Sequence, residues 1–173
     1  MAKKDKTISF IERMEMDNFD PDWNIPFELP DLTGYKEIAV DLETRDPNLT
    51  TLGPGWARGD GNIVGIAVAA GDYSGYFPIR HQNGHNLDPK VTLRWFKKQM
   101  ATPRIDKIMH NATYDAGWLH AEGIEVQGRI IDTMVAAPLI DENRFSYSLN
   151  NLGRDWIDMR KNEKMLRAAA KDF

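Results

Sequence analysis

Two carboxylates separated by one residue, Asp41 and Glu43, end a short apolar run in Ile-Ala-Val-Asp-Leu-Glu-Thr at positions 38–44. In an extended strand, residues two apart face the same side, so both side chains should project together from the end of a buried strand. Two adjacent anions repel each other and resist desolvation unless a cation lies between them. Mg²⁺ and Mn²⁺ prefer carboxylate oxygen and are the simplest candidates. The alternative is a strand end whose carboxylates face only water.

A third carboxylate, Asp115, closes the sequence His-Asn-Ala-Thr-Tyr-Asp at positions 110–115. We predict that a strand ends near His110 and a helix begins near Thr113, which places Asp115 in the first helical turn. The helix dipole alone favours an aspartate there. Because ligand sites in open α/β sheets lie at the carboxyl ends of the strands, we also expect Asp115 to meet Asp41 and Glu43 at one edge. Three converging carboxylates indicate a metal site.

The apolar pattern and the turn residues predict the elements that position these carboxylates. The predicted strands cover residues 37–42, 63–70, 75–79, 106–110 and 130–131. The predicted helices cover residues 8–16, 88–100, 113–122, 132–140, 148–157 and 162–171, and residues 46–61 are predicted to form a loop. Gly71-Asp72 predicts a hairpin. A hairpin-linked start followed by alternating strands and helices favours an α/β fold, a mixed five-stranded sheet with helices on both faces.

Composition excludes several classes of protein. The 173 residues are 42% hydrophobic and 28% charged, which is typical of one globular domain with a real core. The absence of cysteine excludes disulfides and thiolate sites and is compatible with a reducing cytoplasm. The net charge of −4 predicts no general basic surface for duplex nucleic acid. No apolar run reaches the roughly 18 residues of a membrane span, and no signal peptide is recognisable.

Three segments carry a family resemblance: Asp-Leu-Glu-Thr at 41–44, His-Asn-Ala-Thr-Tyr-Asp at 110–115 and Asp-Thr-Met at 132–134. They resemble the proofreading 3′–5′ exonuclease domain of family A (DNA polymerase I-like) DNA polymerases, in the style of phage enzymes. That domain belongs to the DEDD exonuclease superfamily and has an RNase H-like fold. The resemblance covers about residues 35–160. It divides the chain into an N-terminal lead-in, residues 1–34, and an exonuclease domain, residues 35–173.

The resemblance implies a two-metal exonuclease that uses Mg²⁺ or Mn²⁺ and releases nucleoside 5′-monophosphates from single-stranded DNA 3′ ends. Asp41 would bridge both metals, Glu43 would bind one of them, and Asp115 would complete the catalytic carboxylates. The residues implied to contact the substrate are Leu42, Thr44, Asn111 and Tyr114. The implied partners are a single-stranded 3′ end and a polymerase body, in the same chain or another. The implied location is the cytoplasm, that of the host if the gene belongs to a phage.

The third motif of this family, Tyr-x-x-x-Asp, is not found in the sequence. Tyr147 is followed four residues later by Asn151, and neither tyrosine nor histidine occurs between there and Phe173. We consider a fragment of a longer polymerase, a split gene product completed by another chain, and a degenerate domain. We expect low activity from this chain alone and an incomplete two-metal site. The alternative functions are a stand-alone RNA or oligonucleotide exonuclease and a catalytically silent nucleic-acid-binding module.

Several other residues carry expectations of their own. His81 and His85 are predicted to lie in a surface loop, with a metal-binding pair as the alternative. His110 is predicted to be a core residue at a strand end. Asp132 is predicted to be a helix N-cap, with a supporting role in the site as the alternative. The tryptophans predicted to lie in the core are Trp95, Trp118 and Trp156.

Overall fold

The computed structural model describes residues 26, 28–82 and 85–159. The chain divides into two compact units, Ile25–Tyr147 and the pair of segments Met1–Asn24 and Ser148–Phe173. The strands of the first unit are β1 (Glu37–Arg45), β2 (Asn62–Ala70), β3 (Tyr73–Pro78), β4 (Asp106–Met109) and β5 (Ile130–Asp132). Its helices are α1 (Leu49–Leu52), α2 (Pro89–Met100), α3 (Ala112–Ala121) and α4 (Thr133–Ile140). The second unit contributes α5 (Leu149–Ile157); the helices predicted at 8–16 and 162–171 lie outside the described residues.

The five strands form one mixed sheet in the order β3-β2-β1-β4-β5. β1 runs antiparallel to β2 and parallel to β4, β2 is antiparallel to β3, and β4 is parallel to β5. The predicted mixed five-stranded α/β fold is therefore confirmed. The hairpin predicted at Gly71-Asp72 is also confirmed, because these two residues connect the paired strands β2 and β3.

The central strand β1 has one buried and one exposed face. Ile38, Val40 and Leu42 are only 0%, 4% and 6% exposed and belong to the core, whereas Asp41 and Glu43 are exposed. The strand continues to Arg45, past the end predicted at residue 42, so the two carboxylates lie inside β1 and not beyond it. The reason is that β2 pairs with all of this stretch, with a shift of register between Glu43 and Thr44. Backbone pairing extends a strand regardless of whether its side chains are apolar.

The end of the predicted lead-in packs against α2. Leu32 is a core residue with 1% exposure, and its N–H donates to the Gln99 side-chain oxygen at 3.0 Å. The indole N–H of Trp95 donates to the Pro30 carbonyl at 2.6 Å. These bonds attach the last residues before position 34 to the sheet and helix unit, while the domain boundary itself stays a prediction.

Of the three tryptophans predicted to lie in the core, two do and one does not. Trp118 is 2% exposed, and Trp95 packs against Phe77 with ring centroids 4.6 Å apart, so both lie in or against the core as predicted. Trp156 on α5 is 44% exposed, which contradicts its predicted core position. A large aromatic residue on a helix favours a core position, but its exposure depends on whether a neighbour covers that face of the helix. No helix of the described residues is long and apolar enough to cross a membrane.

Lys107, on β4, is a fully buried lysine that the sequence pattern did not reveal. Its ammonium donates to three main-chain carbonyls, those of Thr102 at 2.5 Å, Ile105 at 2.9 Å and Gln127 at 2.6 Å. Burial lowers the pKa of Lys107, and neighbouring Asp106 partly opposes that shift. The ammonium thus joins the turn before β4 to the turn before β5 through the backbone carbonyls of both turns.

We predict that Lys107→Met lowers the free energy of unfolding by about 2–4 kcal/mol, because three backbone carbonyls lose the charged donor that a buried lysine provides. Urea unfolding followed by circular dichroism measures this change. Lys97→Met, on the exposed side of α2, is the matched control and should change stability by less than about 0.5 kcal/mol. Equal stabilities for the two variants would show that the carbonyls do not depend on Lys107.

Candidate active site

β1 and the first turn of α3 bring the three predicted carboxylates together. Asp115 is 3% exposed, and its carboxylate accepts a hydrogen bond from the backbone of Leu42, the residue between Asp41 and Glu43. α3 begins at this point because β4, which precedes it, runs parallel to β1, and its last paired residue, Ile108, lies beside Ala39, two residues before Asp41. Asp115 therefore lies against β1, close enough to Asp41 and Glu43 for both charges to act on it.

Burial and the neighbouring carboxylates raise the pKa of Asp115. Burial raises the pKa of its carboxyl group most, the charge of Asp41 raises it further, and the hydrogen bond from Leu42 opposes both. Asp132 and Glu43 add to the increase, and the resulting pKa is about 7. A carboxyl group that is only partly ionised at neutral pH would ionise fully beside a divalent cation, because an opposite charge stabilises the anion.

Asp115→Asn should stabilise the protein against unfolding in the absence of divalent metal. The folded-state pKa of about 7 lies above the ordinary value of 3.8, so ionised Asp115 destabilises the folded state. The free energy of unfolding therefore falls as pH rises from 3.8 to about 7, and Asp115→Asn removes that loss. Above about pH 7 the gain should reach roughly 2–4 kcal/mol, and near pH 4 it should vanish. Urea unfolding at pH 8 and pH 4 measures the difference between the variant and the native protein. An equal difference at both pH values would contradict the raised pKa of Asp115.

The side chains of Thr44 and Tyr114, both predicted to contact the substrate, are hydrogen-bonded to each other. Their hydroxyl oxygens lie 2.8 Å apart, and the Tyr114 hydroxyl also donates to Asp46 at 3.2 Å. Asp46 accepts in addition from the N–H of Gly55, at 2.9 Å, in the 3₁₀ turn Gly55–Ala57. The predicted loop 46–61 thus contains α1 and a 3₁₀ turn, and Asp46 holds it against the two hydroxyls. Sequence reasoning missed Asp46, because its partners are distant in the chain.

Asn111 and Asp132 build the junction at which α3 starts. Asn111 has a left-handed backbone with φ of 67°, a conformation that asparagine tolerates better than most residues, and its side chain does not cap the helix. Instead Asp132, at the end of β5, accepts from the N–H groups of Asn111 at 3.0 Å and Ala112 at 2.8 Å. Asp132 also caps α4 through the N–H of Met134 at 2.9 Å, as predicted. One carboxylate therefore serves two helix starts.

Substituting Asp132 tests this double cap. Burial raises the pKa of Asp132, but the backbone hydrogen bonds from Ala112, Asn111 and Met134 outweigh it and lower the pKa below 3.8. Its stabilisation is therefore present above pH 3.8 and is lost as pH falls through the lowered value. At pH 7 we expect Asp132→Asn to cost about 1–3 kcal/mol of unfolding free energy, and the difference from the native protein to shrink as pH falls below 3.8.

The control for this substitution is Asp88→Asn. Asp88 caps only α2, through the N–H of Val91 at 2.9 Å, and should cost less. Urea unfolding at several pH values compares the two variants. A loss in Asp132→Asn no larger than in Asp88→Asn would contradict the second cap.

The structure also places four other residues for which the sequence carried predictions. Leu42 is buried in the core on the face opposite to the carboxylates, so its placement does not support the predicted contact of its side chain with a nucleotide. His110 is half-buried, and its Nδ1 lies 2.9 Å from the Thr133 hydroxyl. His81 and His85 are both exposed.

The described residues contain no set of three or more histidine or carboxylate side chains arranged to hold a metal ion. The chemistry of the donors nevertheless fits a hard divalent cation. Asp41 and Glu43 are exposed carboxylates, and Asp115 is a buried carboxyl group whose pKa is raised by burial and by the charges of Asp41 and Glu43. These carboxylates are the residues that could hold such an ion.

Known proteins place this arrangement in a class. The 3′–5′ exonuclease family matches residues 29–172. A DNA-directed DNA polymerase of Pseudomonas phage M6 is 37% identical over 172 residues, which are 96% of this chain and 26% of that polymerase. The chain thus spans about a quarter of the length of that relative.

Solved structures show the same fold. RNase D of Trypanosoma brucei, in complex with RNA U12, superposes with a TM-score of 0.61 at 17% identity, over 81% of this chain and 46% of that one. Brucella melitensis NrnC with bound Mg²⁺ superposes with a TM-score of 0.55 at 20% identity, over 85% and 71% of the two chains.

The fold is thus the RNase H-like fold of the DEDD exonucleases, as predicted. The chain belongs to the 3′–5′ exonuclease family of the family A DNA polymerases.

Proposed function

We propose that this chain is the proofreading exonuclease part of a DNA polymerase and that it hydrolyses single-stranded DNA 3′ ends to nucleoside 5′-monophosphates. The observation that carries the proposal is the position of buried Asp115 beside Asp41 and Glu43, where burial and then the neighbouring negative charges raise its pKa to about 7. The similarity to the M6 polymerase supports DNA as the substrate and a polymerase body as the partner. On this proposal it acts in the cytoplasm, that of the host if the gene belongs to a phage.

Asp41, Glu43 and Asp115 would hold Mg²⁺ or Mn²⁺, and NrnC with bound Mg²⁺ is a precedent for that metal on this fold. When bound, such ions activate water and neutralise charge on the scissile phosphate. Asp115 would release its proton on binding them, since burial and the charge of Asp41 raise its pKa and a bound cation would favour the ionised form.

Thr44 and Tyr114 would position the 3′-terminal nucleotide. Thr44 follows Glu43 in the sequence, and Tyr114 lies on the first turn of α3. Their hydroxyls are hydrogen-bonded to each other, and Asp46 accepts a hydrogen bond from Tyr114, which fixes their orientation. Water would attack the last phosphodiester; the bond from phosphorus to the 3′-oxygen of the preceding nucleotide breaks, and that oxygen takes up a proton. Asn111, exposed at the start of α3, would contact the strand beyond the terminal nucleotide.

An RNA exonuclease is the second candidate, because RNase D in complex with RNA has the same fold. That likeness is at 17% identity and concerns the fold, whereas the 37% identity over nearly the whole chain is to a DNA polymerase. Cleavage of DNA and RNA strands of the same sequence distinguishes the two candidates.

We predict that the chain shortens 5′-labelled single-stranded DNA one nucleotide at a time with Mn²⁺ or Mg²⁺, at a low rate. Asp41→Ala should reduce that rate by more than about 100-fold, because even outer-shell partners of metal sites are worth 10–100-fold. Asp72→Ala, in the exposed turn between β2 and β3, is the control and should leave the rate unchanged. A denaturing gel measures the product ladder, and an equal ladder in Asp41→Ala would contradict the proposed function. A vigorous ladder lost in that variant would contradict only the expectation of low activity.

A further inference from the structure

The edge strand β3 places a tyrosine on the same sheet face as the two β1 carboxylates. Asp41 pairs with Ala67 of β2, and Ala67 pairs in turn with Tyr76 of β3. Glu43 pairs with Gly65, two residues before Ala67. Directly paired residues in neighbouring strands share a face, so these five residues form one surface with small residues in its middle.

Tyr76 uses the space that the small residues leave. A methyl group placed on Gly65 would lie 1.9 Å from the Tyr76 hydroxyl oxygen and 2.4 Å from the adjacent ring carbon. The phenol ring therefore leans along the sheet over Gly65, the residue paired with Glu43. Burial raises the pKa of Tyr76 to about 12, and the charges of Glu43 and then Asp41 contribute to the increase. The hydroxyl thus lies within the field of both carboxylates and stays protonated.

The Tyr76 hydroxyl meets His81, which follows β3. The hydroxyl oxygen lies 2.5 Å from His81 Nε2, and the two rings stand edge to face with centroids 5.9 Å apart. The backbone of His81 is clamped by Asn86, which accepts from its N–H at 2.8 Å and donates to its carbonyl at 3.0 Å. Arg80, the preceding residue, donates to the Ile63 carbonyl at 3.1 Å and pairs with Glu122. An exposed imidazole is thereby held at a defined place at the rim of the carboxylate face.

We propose that Tyr76 and His81 are a further part of the substrate site, an inference that rests on the exonuclease function proposed above. Tyr76 is a positioning residue: its hydroxyl donates to His81 Nε2 and so places the imidazole proton on Nδ1. His81 contacts the substrate: its Nδ1–H donates to a phosphate oxygen of the single-stranded DNA. A face that carries Asp41 and Glu43 repels a phosphate strand, and a fixed donor at its rim offsets that repulsion.

The test uses two ways to disturb the pair, each with a matched control on β3. Tyr76→Phe removes the hydroxyl, and Gly65→Ala displaces it. The controls act on Tyr73 instead: Tyr73→Phe removes its hydroxyl, and Gly75→Ala displaces it, since a methyl group on Gly75 would lie 2.5 Å from the Tyr73 hydroxyl oxygen. His81→Ala removes the imidazole. His81→Asn keeps a side-chain N–H near the position of Nδ1.

Two quantities are measured: the KM and kcat of DNA cleavage, and the Kd for an oligonucleotide with phosphorothioate 3′ linkages, by fluorescence anisotropy. We expect Tyr76→Phe, Gly65→Ala and His81→Ala to raise KM and Kd roughly 10- to 150-fold, the range for a hydrogen bond to a charged group. The kcat should change less than about threefold, and His81→Asn should recover part of the affinity. Tyr73→Phe and Gly75→Ala should stay within twofold of the native protein.

The outcomes separate the two proposals. If the native chain cleaves DNA and Asp41→Ala does not, while Tyr76→Phe and His81→Ala keep native KM and Kd, the role of this pair is wrong and the exonuclease function stands. Losses as large in the Tyr73 and Gly75 controls, or no recovery in His81→Asn, also overturn the inference, because they indicate a general disturbance of β3. If the native chain neither binds nor cleaves the strand, the proposed function fails and this inference fails with it.

Discussion

The burial of one carboxyl group beside two others is the constraint on which the candidate site and its surroundings depend. Asp41 and Glu43 share one face of β1, and Asp115 is buried beside them under the influence of both charges. Burying an unpaired charge in a medium of low dielectric constant costs several kcal/mol, so a protein keeps such a group only when other interactions offset that cost. Here the compensation is a hydrogen bond from Leu42 and a proton retained at neutral pH. An arrangement that is unfavourable by itself and favourable beside a cation is typical of functional sites.

The neighbouring structure stabilises this arrangement with backbone N–H groups. Asp132 remains ionised because it accepts from the first N–H groups of both α3 and α4, and in doing so it fixes the helix start that carries Asp115. Lys107 performs the reverse task on β4, where an ammonium satisfies the carbonyls of two turns. Buried charges in the described unit are thus held by the main chain more than by opposite charges, so their positions depend on strand pairing.

Local patterns explain which parts of the fold could be predicted. The β2–β3 hairpin and the proline-led start of α2 were located from their sequences, because a short turn or an N-cap is decided within a few residues. The length of β1 and the exposure of Trp156 were not, since one depends on pairing with β2 and the other on what lies against α5. Leu42 shows the same limit: the period of two places it opposite to its acidic neighbours, yet only the packed core shows how completely it is buried.

The sequence by itself determined that Asp41 and Glu43 share a face, because side chains alternate in any strand, and it identified the family through short contiguous motifs. Only the tertiary structure decided the protonation of Asp115, the joining of Thr44 to Tyr114 and the path of Tyr76 over Gly65 toward Glu43. The physical reason is distance along the chain. These contacts join residues that strand register and helix placement bring together, and neither register nor burial is encoded within a window of a few residues.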